Sequence, residues 1–199
     1  MKKKIKISSG MLKGKKIVFE NSQSLRPTTS KLKEILFDWL QFEISGTNCL
    51  DLFAGSGSIG IEAISRGAKK LVFVEINKKN FLNLNKTIKE LQLKNLPKIF
   101  LKDAFIWIKN FDLSDFDFIF LDPPFSANYE EKILKFFSKY NKLKSSCKIY
   151  LEHSKFININ MPDNFSILKE KNIGDVRAIS VSYTHLRAHE TGRNLVCRL

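Results

Sequence analysis

The chain has 199 residues, of which 43% are hydrophobic, so it can bury one sizeable core and is short for two domains. Its net charge of +14 and its isoelectric point near 9.7 make it strongly basic. A strongly basic protein attracts polyanions, so these values favour a polyanionic partner such as nucleic acid. The three cysteines stand too far apart for a disulfide framework or a zinc site. We therefore expect no metal.

The sequence has no segment with the pattern of a targeting or membrane signal. The first lysines are not followed by the apolar stretch of about 7–15 residues that a signal peptide needs. No apolar run approaches the ~18 residues that cross a bilayer. We expect a cytoplasmic protein without a membrane partner.

Residues 1–20 predict a small basic hairpin. Two short strands are joined through a segment that contains Gly10 and Gly14, and such a hairpin must pack on the rest of the chain to be stable. Seven lysines fall within the first sixteen residues, and no acid precedes Glu20. We interpret this end as a nucleic-acid surface that includes Lys6, Lys13, Lys15 and Lys16. The alternative is biased composition, since Lys, Asn, Ile and Phe are all abundant here.

The rest of the chain alternates between strand and helix patterns. A loop over residues 25–30 leads into an amphipathic helix that ends near Phe42. Such alternation predicts a parallel sheet with right-handed crossovers, and a hairpin over residues 165–181 adds an antiparallel strand. The predicted strands cover residues 49–53, 71–75, 99–103, 116–121 and 148–152, and the helices between them residues 61–66, 78–93, 104–111 and 130–140.

Three segments are expected along the chain. Residues 1–20 form the hairpin extension and residues 21–182 the main domain. Residues 183–199 continue no visible pattern and resemble non-native sequence, so we expect an irregular tail there. His185 and His189 in this tail have helical spacing, but we do not expect them to bind a metal.

A glycine turn follows the first predicted strand of the main domain. The spacing Gly55-x-Gly57-x-x-Gly60 after an apolar run is typical of the opening strand–turn–helix unit of a nucleotide-binding sheet. Asp51 stands four residues before Gly55, where it favours a ligand with a cationic, amine-bearing end and repels a phosphate. S-adenosylmethionine (SAM) has such an end. A dinucleotide such as NAD remains the alternative, because the glycine spacing also fits it.

Acids end four predicted strands: Asp51, Glu75, Asp103 and Asp122. Ligands of open α/β sheets bind beyond the carboxyl ends of the strands. There Glu75 can hold both hydroxyls of a ribose, and Asp103, followed by Ala104, can receive an adenine amino group. The alternative for each acid is that it caps the following helix.

Asp122-Pro123-Pro124-Phe125 is the most specific motif in the chain. Two prolines stiffen the loop and remove two N–H donors. The Asp122 carboxylate and the Pro123 carbonyl can together accept both hydrogens of an exocyclic amine, which aims the nitrogen lone pair at a methyl donor. Phe125 offers a face for an extruded base. The alternative is an ordinary Pro-Pro turn after a strand.

These residues together resemble the RsmD-type family of SAM-dependent methyltransferases. Roughly residues 4–182 carry the resemblance, through the opening and closing hairpins, Leu25-Arg26-Pro27-Thr28-Thr29, Asp51-x-Phe53-Ala-Gly-Ser-Gly-x-x-Gly60, Glu75, Asp103-Ala104 and Asp122-Pro-Pro-Phe125. The family modifies a guanine N2 amine in bacterial small-subunit (16S) ribosomal RNA. The resemblance implies a Rossmann-like class I α/β fold with a mostly parallel seven-stranded sheet and an antiparallel C-terminal strand.

The resemblance also implies the partners and the remaining site residues. It places Arg26, Pro27 and Thr28 near the transferred methyl, with Arg26 also on the RNA side, and Phe53 at the cofactor. The substrate would be 16S rRNA in an assembled or assembling small subunit.

Three other functions remain open from the sequence. An amino-methyltransferase acting on DNA (adenine N6 or cytosine N4) or on another RNA site shares the two main motifs. An NAD-dependent oxidoreductase fits the glycines but gives Asp51 and Asp122 no role. A non-catalytic RNA-binding factor is disfavoured by the intact cofactor positions.

Overall fold

The computed structural model describes residues 2–20, 30–93, 95–124, 129–140 and 142–183. Arg26, Thr28, Phe125 and the tail after Tyr183 lie outside the described residues, as do Pro27 and Thr29. The strands are β1 (Lys2–Lys6), β2 (Lys16–Glu20), β3 (Asn48–Asp51), β4 (Lys70–Glu75), β5 (Lys98–Leu101), β6 (Phe118–Leu121), β7 (Lys148–Ser154), β8 (Phe165–Ile173) and β9 (Val176–Tyr183), and the helices are α1 (Ser30–Trp39), α2 (Ser58–Ser65), α3 (Lys78–Leu91), α4 (Ala104–Asn110) and α5 (Tyr129–Lys139).

Seven of these strands form one sheet in the order β5-β4-β3-β6-β7-β9-β8. The pairs from β5 to β7 are parallel, and β9 is antiparallel to both of its neighbours. The predicted fold class is therefore confirmed. Strand order reverses at β3: the strands that follow it in sequence, β4 and β5, lie on one side of it, and β6 and β7 lie on the other. A crevice opens at such a reversal, beyond the carboxyl ends of the strands.

The two faces of the sheet are covered by different helices, because successive side chains of a strand point to opposite sides. Cys49, Phe73 and Phe120 pack with residues of α1, α2 and α3 in one core cluster. Leu50, Val74 and Ile119 pack with α4 and α5 in the other. We call the first side the α1–α3 face. No helix among the described residues is long and apolar enough to cross a membrane.

The N-terminal hairpin, β1–β2, docks on the α1–α3 face through a buried charge. The Glu62 side chain in α2 is fully buried and accepts hydrogen bonds from the Ser8 N–H (2.9 Å), the Ser9 N–H (3.0 Å) and the Ser8 hydroxyl (2.7 Å). Lys33 of α1 and Arg66 each place a nitrogen 3.1 Å from a Glu62 oxygen. The predicted hairpin is present, and an internal acid fixes its orientation on the main domain.

Removal of the Glu62 carboxylate is expected to loosen the hairpin. Burial alone would raise the pKa of Glu62, but the hydrogen bonds from Ser8 and the charge of Lys33 outweigh it and hold the pKa below its ordinary value. Glu62→Ala leaves the buried Lys33 without its ion-pair partner and with only the Lys6 carbonyl as acceptor, which should cost about 3–5 kcal/mol of unfolding free energy in urea titration. Glu90→Ala is the matched control, because it removes an exposed ion pair with Lys86 worth no more than about 1 kcal/mol.

The pH dependence follows from the direction of that shift. A depressed pKa contributes stability that is present above the unfolded-state pKa of Glu62 and is lost as pH falls through the folded-state pKa. The difference in unfolding free energy between the parent and Glu62→Ala should therefore narrow on acidification. A difference that stays constant down to strongly acidic pH would contradict this account.

Several element boundaries differ from the predicted ones. α3 ends at Leu91 rather than Leu93, because Gln92 adopts a left-handed conformation with φ 52° and ends the helix. β7 continues two residues beyond Glu152, since it pairs with β9 as far as Ser154. β9 includes Tyr183, one residue past the predicted domain boundary, and the buried Tyr183 ring packs against Phe165.

Candidate cofactor and active site

Three of the predicted acids lie together at the carboxyl edge of the sheet. Asp51 shares the side of β3 occupied by Cys49, and Glu75 shares the side of β4 occupied by Phe73, so both point to the α1–α3 face. Asp122 directly follows β6, the other neighbour of β3, and its charge acts on Asp51. The structure thus brings Asp51, Glu75 and Asp122 together at this edge of the sheet.

Asp51 is the buried acid of this group whose pKa is raised by its neighbours. It is 2% exposed, and its Oδ2 accepts the Gly60 N–H at 3.3 Å. Burial, then the charge of Asp122, and to a smaller extent that of Glu75, raise its pKa to about 7, against the opposing N–H bonds of Gly60 and Phe53. A buried carboxyl whose pKa is raised by neighbouring negative charges favours a cationic ligand, because a positive charge relieves the repulsion between the acids.

The glycine turn is tied directly to Glu75. Its Oε2 accepts the Gly55 N–H at 2.7 Å, and its Oε1 accepts the Asn77 N–H at 2.6 Å. Gly57 has φ 76°, a left-handed conformation that suits glycine. Since an ionised carboxylate has about four acceptor positions, Glu75 can hold the turn and still accept ribose hydroxyls.

Gly60 has a different surrounding from the two turn glycines. A Cβ at Gly60 would lie 2.4 Å from the Phe73 ring and 2.9 Å from Leu71, so this glycine lets α2 approach β4 closely. It reaches the cleft through its N–H bond to Asp51. Its place among the cofactor-binding residues stays a prediction.

Asp103 lies at the start of α4, where it acts as the N-cap. Its Oδ1 accepts the Ile106 N–H at 3.0 Å, so the capping alternative holds for this acid. Ala104 behind it is buried. A second carboxylate oxygen is left for a ligand, and the adenine contact predicted for Asp103 stays a prediction.

Ile76 and Ile106, which sequence reasoning missed, are exposed apolar side chains close in the chain to Glu75 and Asp103. Ile76, directly after Glu75, is 67% exposed, and Ile106 is 59% exposed. Phe53 packs against Tyr129 at 5.7 Å between ring centroids, and Tyr129 against Phe105 at 5.6 Å. Such a rim suits a flat, partly apolar ring such as adenine. The available signal was an isoleucine directly after a strand-end acid.

The proline corner lies at the end of β6. The register Leu50–Ile119 and Asp51–Phe120 places it beside β3 and the glycine turn, and the Leu52 N–H bonds to the Phe120 carbonyl at 3.2 Å. Asp122 is half-buried, Pro123 buried and Pro124 exposed. The corner is therefore next to the acids, as the predicted mechanism requires.

Sequence reasoning also missed Glu152, an acid in β7. It is 2% exposed, and the Tyr150 hydroxyl donates a hydrogen bond of 2.7 Å to its Oε1. Burial and then the charge of Asp122 raise its pKa well above the ordinary value. The signal was visible, because the predicted fifth strand ended at this acid as the other strands ended at theirs.

The predicted RNA-binding lysines do not lie beside the acids. α3 begins next to Glu75 and its 14 residues run about 21 Å along the sheet. Lys15 Nζ donates to the Leu91 carbonyl at 3.4 Å, at the far end of that helix. Exposed lysines line both elements: Lys4, Lys6, Lys13, Lys15 and Lys16 of the hairpin, and Lys78, Lys79, Lys86 and Lys89 of α3. We call these nine residues the hairpin–α3 surface.

Comparison with known proteins identifies the family. Residues 5–182 match the family described as conserved hypothetical protein 95. The chain is 43% identical to ribosomal RNA small subunit methyltransferase D of Buchnera aphidicola subsp. Acyrthosiphon pisum, over 84% of this chain and 87% of that protein. The chain belongs to this family. We call it the RsmD family after these relatives.

Further relatives of the RsmD family agree in sequence and in fold. The Haemophilus influenzae protein of the same name is 38% identical over 88% of this chain and 92% of its own. The structure of a putative methyltransferase, yhhF, from Escherichia coli superposes with a TM-score of 0.80 at 29% identity, covering 92% of this chain and 99% of that one. The resemblance predicted from the motifs is confirmed. An oxidoreductase gains no support from these relatives, which are named as methyltransferases.

Proposed function

We propose that this RsmD-family protein transfers the methyl group of SAM to the exocyclic N2 amine of a guanine in 16S rRNA. The observation that carries the proposal is the cleft itself. Three acids of neighbouring strands, one with a pKa raised to about 7, adjoin a proline corner that presents oxygen acceptors. Relatives named ribosomal RNA small subunit methyltransferase D support the substrate class. The natural substrate is then an assembled or assembling small subunit.

The acids at the carboxyl edge of the sheet bind different parts of the cofactor. Asp51 provides negative charge for the cationic end, and Glu75 provides acceptors for the ribose hydroxyls. Asp103 and Ala104, with the apolar rim of Ile76 and Phe105, accommodate the adenine. Gly55 and Gly57 allow the backbone to approach. Arg26 and Thr28 enter this set through the family resemblance.

The proline corner positions the amine. When bound, SAM supplies an electrophilic methyl group on a sulfonium. Asp122 and the Pro123 carbonyl accept the two amine hydrogens, so that the nitrogen lone pair is free to form the N–C bond as the C–S bond breaks. The Asp122 charge stabilises the positive charge that develops on nitrogen, and the nitrogen then passes one proton to the Asp122 carboxylate, which releases it to solvent. Pro124 stiffens the corner, and Phe125 would stack on the base.

Two measurements separate this function from its rivals. Calorimetric titration should give binding of SAM and none of NAD. Purified protein with methyl-labelled SAM should label 16S rRNA in small subunits from a strain lacking this activity, and should leave duplex DNA unlabelled. Binding of NAD alone would indicate the oxidoreductase, and labelling of DNA in preference to rRNA would indicate a DNA amino-methyltransferase.

The hairpin lysines should contribute to RNA affinity rather than to cofactor affinity. Replacing Lys13, Lys15 and Lys16 by Ala removes three exposed charges. The slope of log K against log salt concentration should become less negative by about 2–3, since each lost phosphate contact removes about 0.7–0.9 from its magnitude. Filter binding over a salt series measures it.

A matched triple variant controls for net charge alone. Lys132, Lys135 and Lys139 are equally exposed but lie on α5, on the other face of the sheet. Their replacement by Ala should leave the salt slope nearly unchanged. Equal slopes in both triple variants would show that the hairpin lysines act only through overall charge.

A further inference from the structure

Glu152 extends the row of acids by one strand beyond Asp122. Leu121 of β6 pairs with Leu151 of β7 in parallel register, so Asp122, directly after β6, is next to Glu152 of β7. Residues in equivalent positions of parallel strands point to the same face. Tyr150, two residues before Glu152, packs on the α1–α3 face. The mechanism above uses Asp122 and leaves Glu152 without a function.

Among the described residues, one negative group and one hydroxyl act on Glu152. The charge acting on it is that of Asp122, and the hydroxyl is that of Tyr150. On the β9 side its partner is Ala178, while Arg177 pairs across from His153 on the opposite face. On the α1 side Trp39 packs against the Tyr150 ring, and the charged Lys33 is bound to Glu62.

Two adjacent carboxyls in a dry site do not both ionise readily. Glu152 is the more deeply buried of the two, at 2% exposed against a half-buried Asp122. The proton shared by such a pair is therefore better placed on Glu152. The Tyr150 hydroxyl donates to Oε1, so a proton on the neutral Glu152 carboxyl would belong on Oε2.

We propose that Glu152 is a positioning residue for Asp122: it remains neutral beside the Asp122 carboxylate and thereby lets Asp122 keep its negative charge for the amine. Glu152 neither gains nor loses a proton during methyl transfer. This inference rests on the proposed function of Asp122, and it names the residue that sets the charge state of that group.

The first experiment measures the proton directly in the free protein. The carboxyl carbon of Glu152 is observed by ¹³C NMR, with Glu152→Gln used to assign the signal. At pH 7 the shift should be that of a neutral carboxylic acid. The shift of an ionised carboxylate at pH 7 would overturn the proposal, and this result is independent of any methylation activity.

The second experiment uses a neutral isostere. Glu152→Gln keeps the shape, the neutrality and an acceptor for Tyr150, so kcat should stay within about threefold of the parent, whereas Glu152→Ala should lose about tenfold or more. SAM affinity should be unchanged in both variants. A Gln variant as inactive as the Ala variant, or a fully active Ala variant, would contradict the proposal.

The pH profile separates positioning from mere packing. Activity requires ionised Asp122, so kcat falls on the acid side. If Glu152 is neutral in the working enzyme, the midpoint of the acid limb in Glu152→Gln should lie within about 0.3 pH units of the parent's midpoint. If Glu152 is ionised instead, its removal lowers the pKa of Asp122 and moves the limb to lower pH. Absence of methylation by the parent protein would count against the proposed function and leave the NMR test intact.

Discussion

Asp122→Ala should abolish methyl transfer while the protein still binds SAM. The loss of the carboxylate removes both an acceptor for the amine and the charge that stabilises the developing cation, so kcat should fall by about 10³-fold or more. Asn in the same position keeps an acceptor without the charge and should lose less. Single-turnover methylation of small subunits, together with calorimetric SAM titration, measures both quantities.

In the same variant, SAM affinity should not fall with activity. The charge of Asp122 contributes to the raised pKa of Asp51. Its removal lowers that pKa, so SAM affinity at about pH 6 should be equal to that of the parent or tighter. Asp115→Ala is the control, because Asp115 is exposed and paired with Lys70, away from the cleft. Normal turnover in Asp122→Ala, or loss of SAM binding, would contradict the assigned function of Asp122.

Asp51→Asn should stabilise the cofactor-free protein and weaken SAM binding. The pKa of Asp51 rises from 3.8 to about 7 on folding, so the folded state holds a proton that the unfolded state has released. This group therefore lowers stability as pH rises between these two values, by at most about 4 kcal/mol. Asn has no charge to bury, and thermal melting at pH 8 should show a higher midpoint for the variant.

The pH dependence of SAM affinity gives the functional half of this prediction. A cation beside Asp51 favours the ionised form, so affinity in the parent should rise with pH up to about 7 and level off above it, by at most about tenfold per pH unit. In Asp51→Asn the affinity should be weaker and nearly independent of pH in that range. Asp115→Asn should change neither quantity. A parent affinity that is flat between pH 5 and pH 8 would contradict a contact between Asp51 and the cation.

The central strands and their acids could be predicted because β3, β4 and β6 are apolar runs that end at a carboxylate or directly before one. Alternation of strands and helices then fixed their common direction, which brings Asp51, Glu75 and Asp122 to one edge. The capping function of Asp103 was among the alternatives. The sequence pattern does not give the order of the strands across the sheet. The neighbouring positions of Glu152 and Asp122 therefore became visible only with the register of β6 and β7.

The docking of the hairpin could not be predicted from local sequence. Glu62 lies in a helix pattern where an acid is normally solvated, yet it is fully buried and binds Ser8, Lys33 and Arg66. This contact orients β1–β2 along α3, and so places Lys15 near Leu91 rather than near the acids. Gly60 shows the same limit, since its contact with Phe73 depends on the packing of α2 against β4.

The central claim is that acids at the ends of neighbouring strands hold SAM while the proline corner presents a guanine amine. Its most direct test is to methylate small subunits from a strain lacking this activity, digest the 16S rRNA and identify the modified nucleoside by mass spectrometry. We predict N2-methylguanosine at a single site. Methyl groups on adenine N6 or cytosine N4, or no methylated nucleoside from a protein that binds SAM, would contradict the claim.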